Sequence, residues 1–312
     1  MAGNSLQLVD YDGSETSVTW TEGHRYCIAD CNVQPSRGHD EIVLSPSKKT
    51  QIEHLDEPES VTRILVVGDT HVGYRHRPRH KKSSGSYTVD NRETFRQALR
   101  RARNTDVDAV IHAGDVFDHN TSQSDLDTVH EEVTRTCEQE IPFYFIRGNH
   151  DETSGRQLLH RLTAEQSKCC RLTTEETFIH GEGPSAITYG YDNSGGQLPQ
   201  LSPDHYLRTL PMPDLLVIHD TPYPVVDEQG KNIYTSEELD LQDFLAESTL
   251  RPDLIISGHM HVGSKGMVRD RNVPVLTTGP TAPINSSTED NEPSTWLLSI
   301  SGTTPEIDRQ PL

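Results

Sequence analysis

Asp69 and His71 stand one residue apart in Gly68-Asp69-Thr70-His71, so on an extended segment a carboxylate and an imidazole point the same way and can reach one ion. Four further motifs follow along the chain: Gly114-Asp115, Gly148-Asn149-His150-Asp151, His219, and Gly258-His259-Met260-His261. Asp69, Asp115 and the Asn149 amide supply oxygen, and His71, His219, His259 and His261 supply nitrogen. This mixture suits two divalent ions, manganese first, with iron or zinc as alternatives. It suits calcium less well, and the lack of thiolate argues against a structural zinc. Two ions about 3.5–4 Å apart need a bridging carboxylate, and Asp115 is the natural candidate; such pairs hydrolyse phosphoric esters. Each motif alone is weak, because a lone strand-end histidine is more often a satisfied core residue. The ordered set of five, each behind its own apolar run, makes the case jointly.

Those runs are the elements that must position the chemistry. Val61 to Gly68 is short, apolar and β-branched and ends in glycine, the pattern of a buried strand entering a loop. Val107–Ala113, Pro142–Ile146, Leu215–Ile218 and Leu254–Ser257 repeat it before the other four motifs. In open α/β sheets the site lies beyond the carboxyl ends of the strands, so the motifs should meet in one crevice. Helical patterns at Asn91–Arg103, Ser122–Gln139 and Ser236–Glu247 alternate with the strands as crossovers. After Ile179 the runs Ala186–Tyr191, Gly266–Arg269, Val273–Thr277 and Trp296–Ile300 lack intervening helices and predict a second, mixed sheet, with Gln197–Pro213 as a surface connection.

From about Val61 to Ile300 the chain resembles the calcineurin-like metallophosphoesterase superfamily, whose signature runs D-x-H, G-D-x-x-D/H, G-N-H-D/E, H, G-H-x-H. The resemblance implies an α/β fold, a four-layer α/β-β/α sandwich of two mixed β-sheets flanked by helices. It places Asp69, His71, Asp115 and His261 on one ion, and Asp115, Asn149, His219 and His259 on the other. His150 takes the role of a catalytic histidine that is not a ligand. Within the superfamily, Asp69 to Arg75 and Gly114 to Asp118 look most like the DNA-repair exonucleases of the SbcD/Mre11 type. Asp118 stands where Mre11 proteins usually have histidine, with His119 next door. The branch implies DNA as substrate and an SMC-like ATPase as partner, although no docking region for one is evident after His261. The enzyme alternative is hydrolysis of small nucleotides or phosphoproteins, and the remote one is an inactive interaction scaffold.

In this scheme His150 protonates or stabilises the leaving oxygen. Asp151 and Asp118 are read as partners for imidazoles, with Asp151 orienting His150. The plainer reading of Asp151 is a carboxylate at the start of a helix from Ser154 to Leu162. Directly after the first motif come Arg75, Arg77, Arg79, Lys81 and Lys82, then Ser83-Ser84-Gly85-Ser86, a basic flexible loop suited to gripping a phosphate backbone. Arg92, Arg96, Arg100 and Arg103 on one helical face could extend that track, though most such stripes are solvated faces.

Composition pulls the other way. With 28 Lys and Arg against 48 Asp and Glu the net charge is −20, which repels nucleic acid at low salt. High acidity with scarce lysine resembles proteins of extremely halophilic archaea, where molar salt screens repulsion within about 3 Å. The expected organisation is an N-terminal extension over 1–60, a metallophosphoesterase domain over 61–302 and a tail over 303–312. Leu6–Val9 and Ser17–Trp20 could form a hairpin, and Ser45–Ser60 reads as a linker. His24, Cys27, Cys31 and His39 loosely suggest a zinc knot but match no standard finger. Five cysteines without a disulfide framework fit a reducing cytoplasm, and neither a signal peptide nor a membrane span is evident. The oligomeric state is left open, a dimer included.

Overall fold

The computed structural model describes residues 7–9, 15–17, 25–35, 42–55, 61–76, 89–193, 212–234, 239–247, 251–284, 293–302 and 304–312. The chain divides into two units, Met1–Glu59 and Ser60–Leu312. In the first, Gln7–Val9 pairs antiparallel with Glu15–Ser17, so the hairpin forms with its second strand earlier than Ser17–Trp20. Arg25–Pro35 pairs antiparallel with Ile42–Leu55, which corrects the expected linker: Ser45 to Leu55 is strand. Pro46, which reads as a breaker, sits opposite Cys31 where the register shifts, a place where a missing N–H is tolerated. His24 and His39 of the suggested zinc knot lie outside the described residues.

In the second unit a six-stranded sheet runs in the order 169–171, 143–146, 109–113, 62–67, 294–300, 306–311. The first four strands are parallel and the last two antiparallel. Helices α1 (Asn91–Asn104), α2 (Gln123–Glu138) and α3 (Thr153–Glu165) make its crossovers. The second sheet has seven strands in the order 177–179, 186–190, 214–218, 254–257, 274–277, 264–268, 225–226, with four parallel strands at its centre. Helix α4 (Leu241–Glu247) lies between two of these strands in the chain. It is shorter than expected because Leu239–Asp240 pairs with Pro222–Tyr223 and the Asp240 carboxylate accepts the N–H groups of Gln242 and Asp243, starting the helix there. The Gln197–Pro213 connection, apart from Met212 and Pro213, lies outside the described residues.

Two expectations about the C-terminal part are corrected. Trp296–Ile300 belongs to the first sheet, antiparallel to Thr62–Val67, since an apolar run carries no label saying which of two facing sheets it joins. Residues 306–311 are the edge strand beside it, so this stretch is not a tail; being largely exposed, it tolerates charged residues and Pro311.

Both central strand sets are apolar on both faces, as parallel sheets covered on each side require. Ile64, Val66, Ile111 and Ile146 meet Leu215, Val217, Leu254, Ile256 and Leu276 between the sheets. Leu65, Val110, Phe143 and Phe145 pack on Phe95, Leu99, Val133 and Leu162 of the helices, while Leu216, Ile218 and Ile255 pack on Leu241, Phe244 and Leu245. The result is the expected four-layer α/β-β/α sandwich. Three of the four arginines in the α1 stripe are engaged by α2: Arg92 bonds Ser124 at 3.0 Å, Arg96 bonds Thr128 at 3.1 Å and Arg103 pairs with Glu132 at 2.6 Å, while Arg100 is exposed. Those three arginines fasten two helices together, which counts against the possible extension of a nucleic-acid track along this face. Among the described residues no helix is long and apolar enough to cross a membrane.

The inter-sheet core is expected to set stability. Ile111→Ala, at a position with no exposed surface, should lower the unfolding free energy by about 2–5 kcal/mol in denaturant titration, whereas Met267→Ala at an exposed position should stay within about 0.5 kcal/mol.

Candidate metal centre

Three motifs leave the first sheet and two leave the second, all at carboxyl ends of strands. The first two loops are fastened together by backbone bonds: Asp69 N–H to Gly114 O at 3.1 Å, His71 N–H to Asp115 O at 3.0 Å and Val72 N–H to Val116 O at 2.9 Å. Asp69, His71, Asp115 and His259 have φ of 48°, 42°, 53° and 73°, the left-handed region that costs side-chain-bearing residues free energy. Four such residues in one crevice mark a place where side-chain direction outweighs backbone comfort. The motif glycines leave room for it. A Cβ on Gly148 would lie 2.0 Å from Asp115 Oδ1, and one on Gly114, itself at φ 89°, would lie 2.3 Å from His219 Nδ1.

Asp115 is at the centre. Its Oδ1 accepts the His150 N–H at 2.8 Å, while its Oδ2 lies 3.5 Å from His71 Nε2 and 3.2 Å from His219 Nε2. All three of these last atoms are buried and lack a hydrogen-bond partner. The His219 Nδ1–H donates to Ala113 O at 2.7 Å, which fixes the ring so that Nε2 faces Asp115 and would be the atom to bind a cation in exchange for a proton. Asp69 is held by the His259 N–H at 2.9 Å and the Thr278 hydroxyl at 3.3 Å. Asp69, His71 and His261 form one cluster of convergent donor atoms, and Asp69, Asp115 and His219 form another. His259 Nδ1 meets the Asn149 amide oxygen at 3.1 Å, and its ring lies 5.3 Å from that of His219. Partnerless buried oxygen and nitrogen atoms converging in this way fit divalent cations, which bind ionised carboxylate and neutral imidazole.

The electrostatics bear the stamp of burial. Burial raises Asp69, against the pull of His219. It opposes ionisation of Asp115 too, but the neighbouring His219 and His71 outweigh it and hold that carboxyl well below the usual range. Burial would lower His219, yet Asp115 and Asp69 push it up to about 9. His261, buried beside His71 and His259, falls to about 3.

Beside this cluster His150 Nδ1 meets Asp118 Oδ1 at 3.0 Å, and the same oxygen lies 3.8 Å from His71 Nδ1. His119 stacks on His150 with ring centres 3.8 Å apart and reaches Glu152 at 3.3 Å. Asp151 is placed differently from expectation. Its carboxylate turns into the protein and accepts the N–H groups of Phe117 and Gly148, both at 2.9 Å. It therefore braces two loops, and the carboxylate that orients His150 is Asp118. Burial and the nearby Asp115 raise Asp151 to about 6, against those two bonds. Arg75 is engaged by Asp90 at 3.4 Å and Asp125 at 3.0 Å. Arg77, Arg79, Lys81 and Lys82 lie outside the described residues.

Two facing sheets whose strand ends converge on acid and imidazole define a metal-dependent hydrolase of phosphoric esters, and the chain belongs to the calcineurin-like phosphoesterase family, whose pattern it matches over residues 62–263. Members of this family use a dinuclear metal site. Its relatives include the DNA double-strand break repair protein Mre11 of Methanosarcina acetivorans, 30% identical over 259 residues that cover 80% of this chain and 38% of that protein. The Mre11 of Haloferax volcanii is 36% identical over 102 residues, 32% of this chain and 22% of that protein. The chain thus spans well under half the length of these relatives. Among solved structures, a protein of Thermus thermophilus shares the fold with a TM-score of 0.51 at 14% identity, over 80% of this chain and 99% of that one.

Two supporting residues escape a reading of ligand types. Thr278 ends the Pro274–Thr277 strand, a sixth strand end, and its signal was the same apolar run followed by a polar residue and glycine. His112 is fully buried among Phe95 and Phe143, and its Nε2 meets the Thr70 hydroxyl at 3.0 Å, which itself donates to Val116 O. Its Nδ1 has no partner, and burial lowers the imidazole to about 3. The unfolded chain therefore takes this proton first, so stability is full above about pH 6.5 and declines as pH falls toward 3. In chelator-treated protein His112→Gln should lose about 2 kcal/mol less than wild type between pH 7 and pH 5 by denaturant titration; equal losses would contradict this.

Proposed function

We propose that the crevice holds two divalent cations, manganese by preference, and hydrolyses phosphodiester bonds of DNA from an end, as an exonuclease of the SbcD/Mre11 type. The observation behind this reading is Asp115 Oδ2 between the Nε2 atoms of His71 and His219, with no other partner for any of the three. Asp69, His71, Asp115 and His261 would hold one ion, and Asp115, Asn149, His219 and His259 the other. When bound, the pair supplies Lewis-acid stabilisation of phosphoryl charge and a water acidic enough to attack at neutral pH.

The chain's own groups do the rest. His150 is the proton donor to the leaving oxygen, its Nδ1 fixed by Asp118 so that Nε2 is the exchanging atom. Burial would lower this imidazole, but the Asp118 bond and the Asp115 charge outweigh it and raise it, the direction that favours a proton donor. Asp118 also lies along the outer edge of His71, so one carboxylate steadies a ligand and the acid together. Asp151 acts through the two loops it braces. Arg77, Arg79, Lys81 and Lys82 are proposed to contact the phosphate backbone, with Arg75 fixing the base of that loop through Asp90 and Asp125.

The DNA assignment draws on the Mre11 relatives, and a cytoplasmic setting with an SMC-like ATPase partner is the corresponding proposal. Residues 61–302, completed by the 306–311 strand, are proposed as the catalytic domain. The net charge of −20 favours a second reading, a phosphodiesterase or phosphatase of small nucleotides or phosphoproteins.

With manganese, in low and in molar salt, release of nucleotides from linear DNA ends is expected, and turnover of cyclic or dinucleotide substrates alone would favour the second reading. Asp115→Ala should abolish activity together with paired metal binding. His150→Ala should keep both ions and lose about 100-fold or more in turnover; full turnover in this variant would refute the acid assignment.

A further inference from the structure

A pocket of about 480 Å³ opens between α3 and the 143–146 and 169–171 strands, apart from the metal crevice. Arg147, Arg156, Arg171 and His160 line it, with Gln157 and Thr173 beside them. Arg147 and Arg171 share a single carboxylate, Asp192, which Arg147 Nε meets at 2.7 Å. Arg156 is exposed and has no acidic partner among the described residues. Three guanidinium groups thus face one carboxylate, on a chain whose net charge is −20. The pocket also adjoins the catalytic loops: Arg147 O accepts the Asn193 N–H at 3.0 Å, and the Asn193 amide donates to His219 O at 2.9 Å.

Guanidinium forks match phosphate oxygens in pairs. A volume of this size lies in the range of small-ligand sites. We propose that this pocket binds a phosphomonoester group, that of a free nucleotide or of the 5′ end of a strand, with its phosphate on Arg156 and Arg171. The assignment stands whichever phosphoester the metal centre cleaves.

The test is calorimetric titration of the full chain, with manganese and again with chelator, using dAMP, deoxyadenosine, inorganic phosphate and a 5′-phosphorylated 12-mer. A chelator-resistant site for dAMP or the 12-mer is expected, with preference between them naming the source. Arg156→Glu should weaken it at least 10-fold, and Thr163→Trp, which fills the pocket from α3, should do the same. Both variants should hydrolyse a generic phosphodiester within about twofold of wild type; failure of that hydrolysis in every protein would count against the metal-centre reading and leave the pocket result intact. No chelator-resistant binding of any phosphate-bearing probe, unchanged affinity in both variants, or binding of deoxyadenosine as tight as that of dAMP would overturn the proposal.

Discussion

The Asp115 carboxylate occupies a position that only a demanding set of neighbours allows. Removing an ionised carboxylate from water costs several kcal/mol unless it is paired and hydrogen-bonded. Here one oxygen is satisfied by a backbone N–H from His150 and the other faces two imidazole nitrogens. The backbone carrying it is left-handed, and Gly114 and Gly148 on either side cannot bear a side chain without striking His219 or Asp115 itself. The proposed pair of cations would supply the charge that these atoms otherwise lack, which makes the centre the reason for the local strain.

The sandwich provides the rigidity for that arrangement. Loops on their own hold a constellation poorly, and sites borne on packed elements are more accurate. Each loop is the continuation of a strand buried on both faces, and the inter-sheet core of Ile64, Ile111, Leu215 and Ile256 fixes how the two sets of strand ends meet. Cross-bonds then tie the sheets at the crevice: His259 N–H from the second sheet reaches Asp69 on the first, and His219 Nδ1 reaches Ala113 O. Asp118 steadies His71 and His150 together, so a shift of one loop would disturb ligand and proton donor at once.

Much of this was legible because strand-end chemistry is local. An apolar run followed by a carboxylate, amide or imidazole gave each motif its element and direction, and the helices at 91–104 and 123–138 followed from apolar spacing. What was not legible depended on partners distant in the chain. The orientation of Asp151 is set by the N–H of Phe117, 34 positions away, so its neighbour in sequence, His150, was a misleading guide. The sheet that Trp296–Ile300 joins depends on the opposing core, and the strand over Ser45–Leu55 depends on pairing with Arg25–Pro35, which overrides a polar composition. Thr278 and His112 are supports rather than candidate ligands, and residue type alone does not single them out.

The most direct test of a carboxylate shared between two cations is electron paramagnetic resonance of the wild-type chain titrated with manganese. Two ions bound per chain with a spin-coupled signal at saturation is the result this account predicts. A single ion per chain, or two ions with uncoupled mononuclear signals, would contradict it.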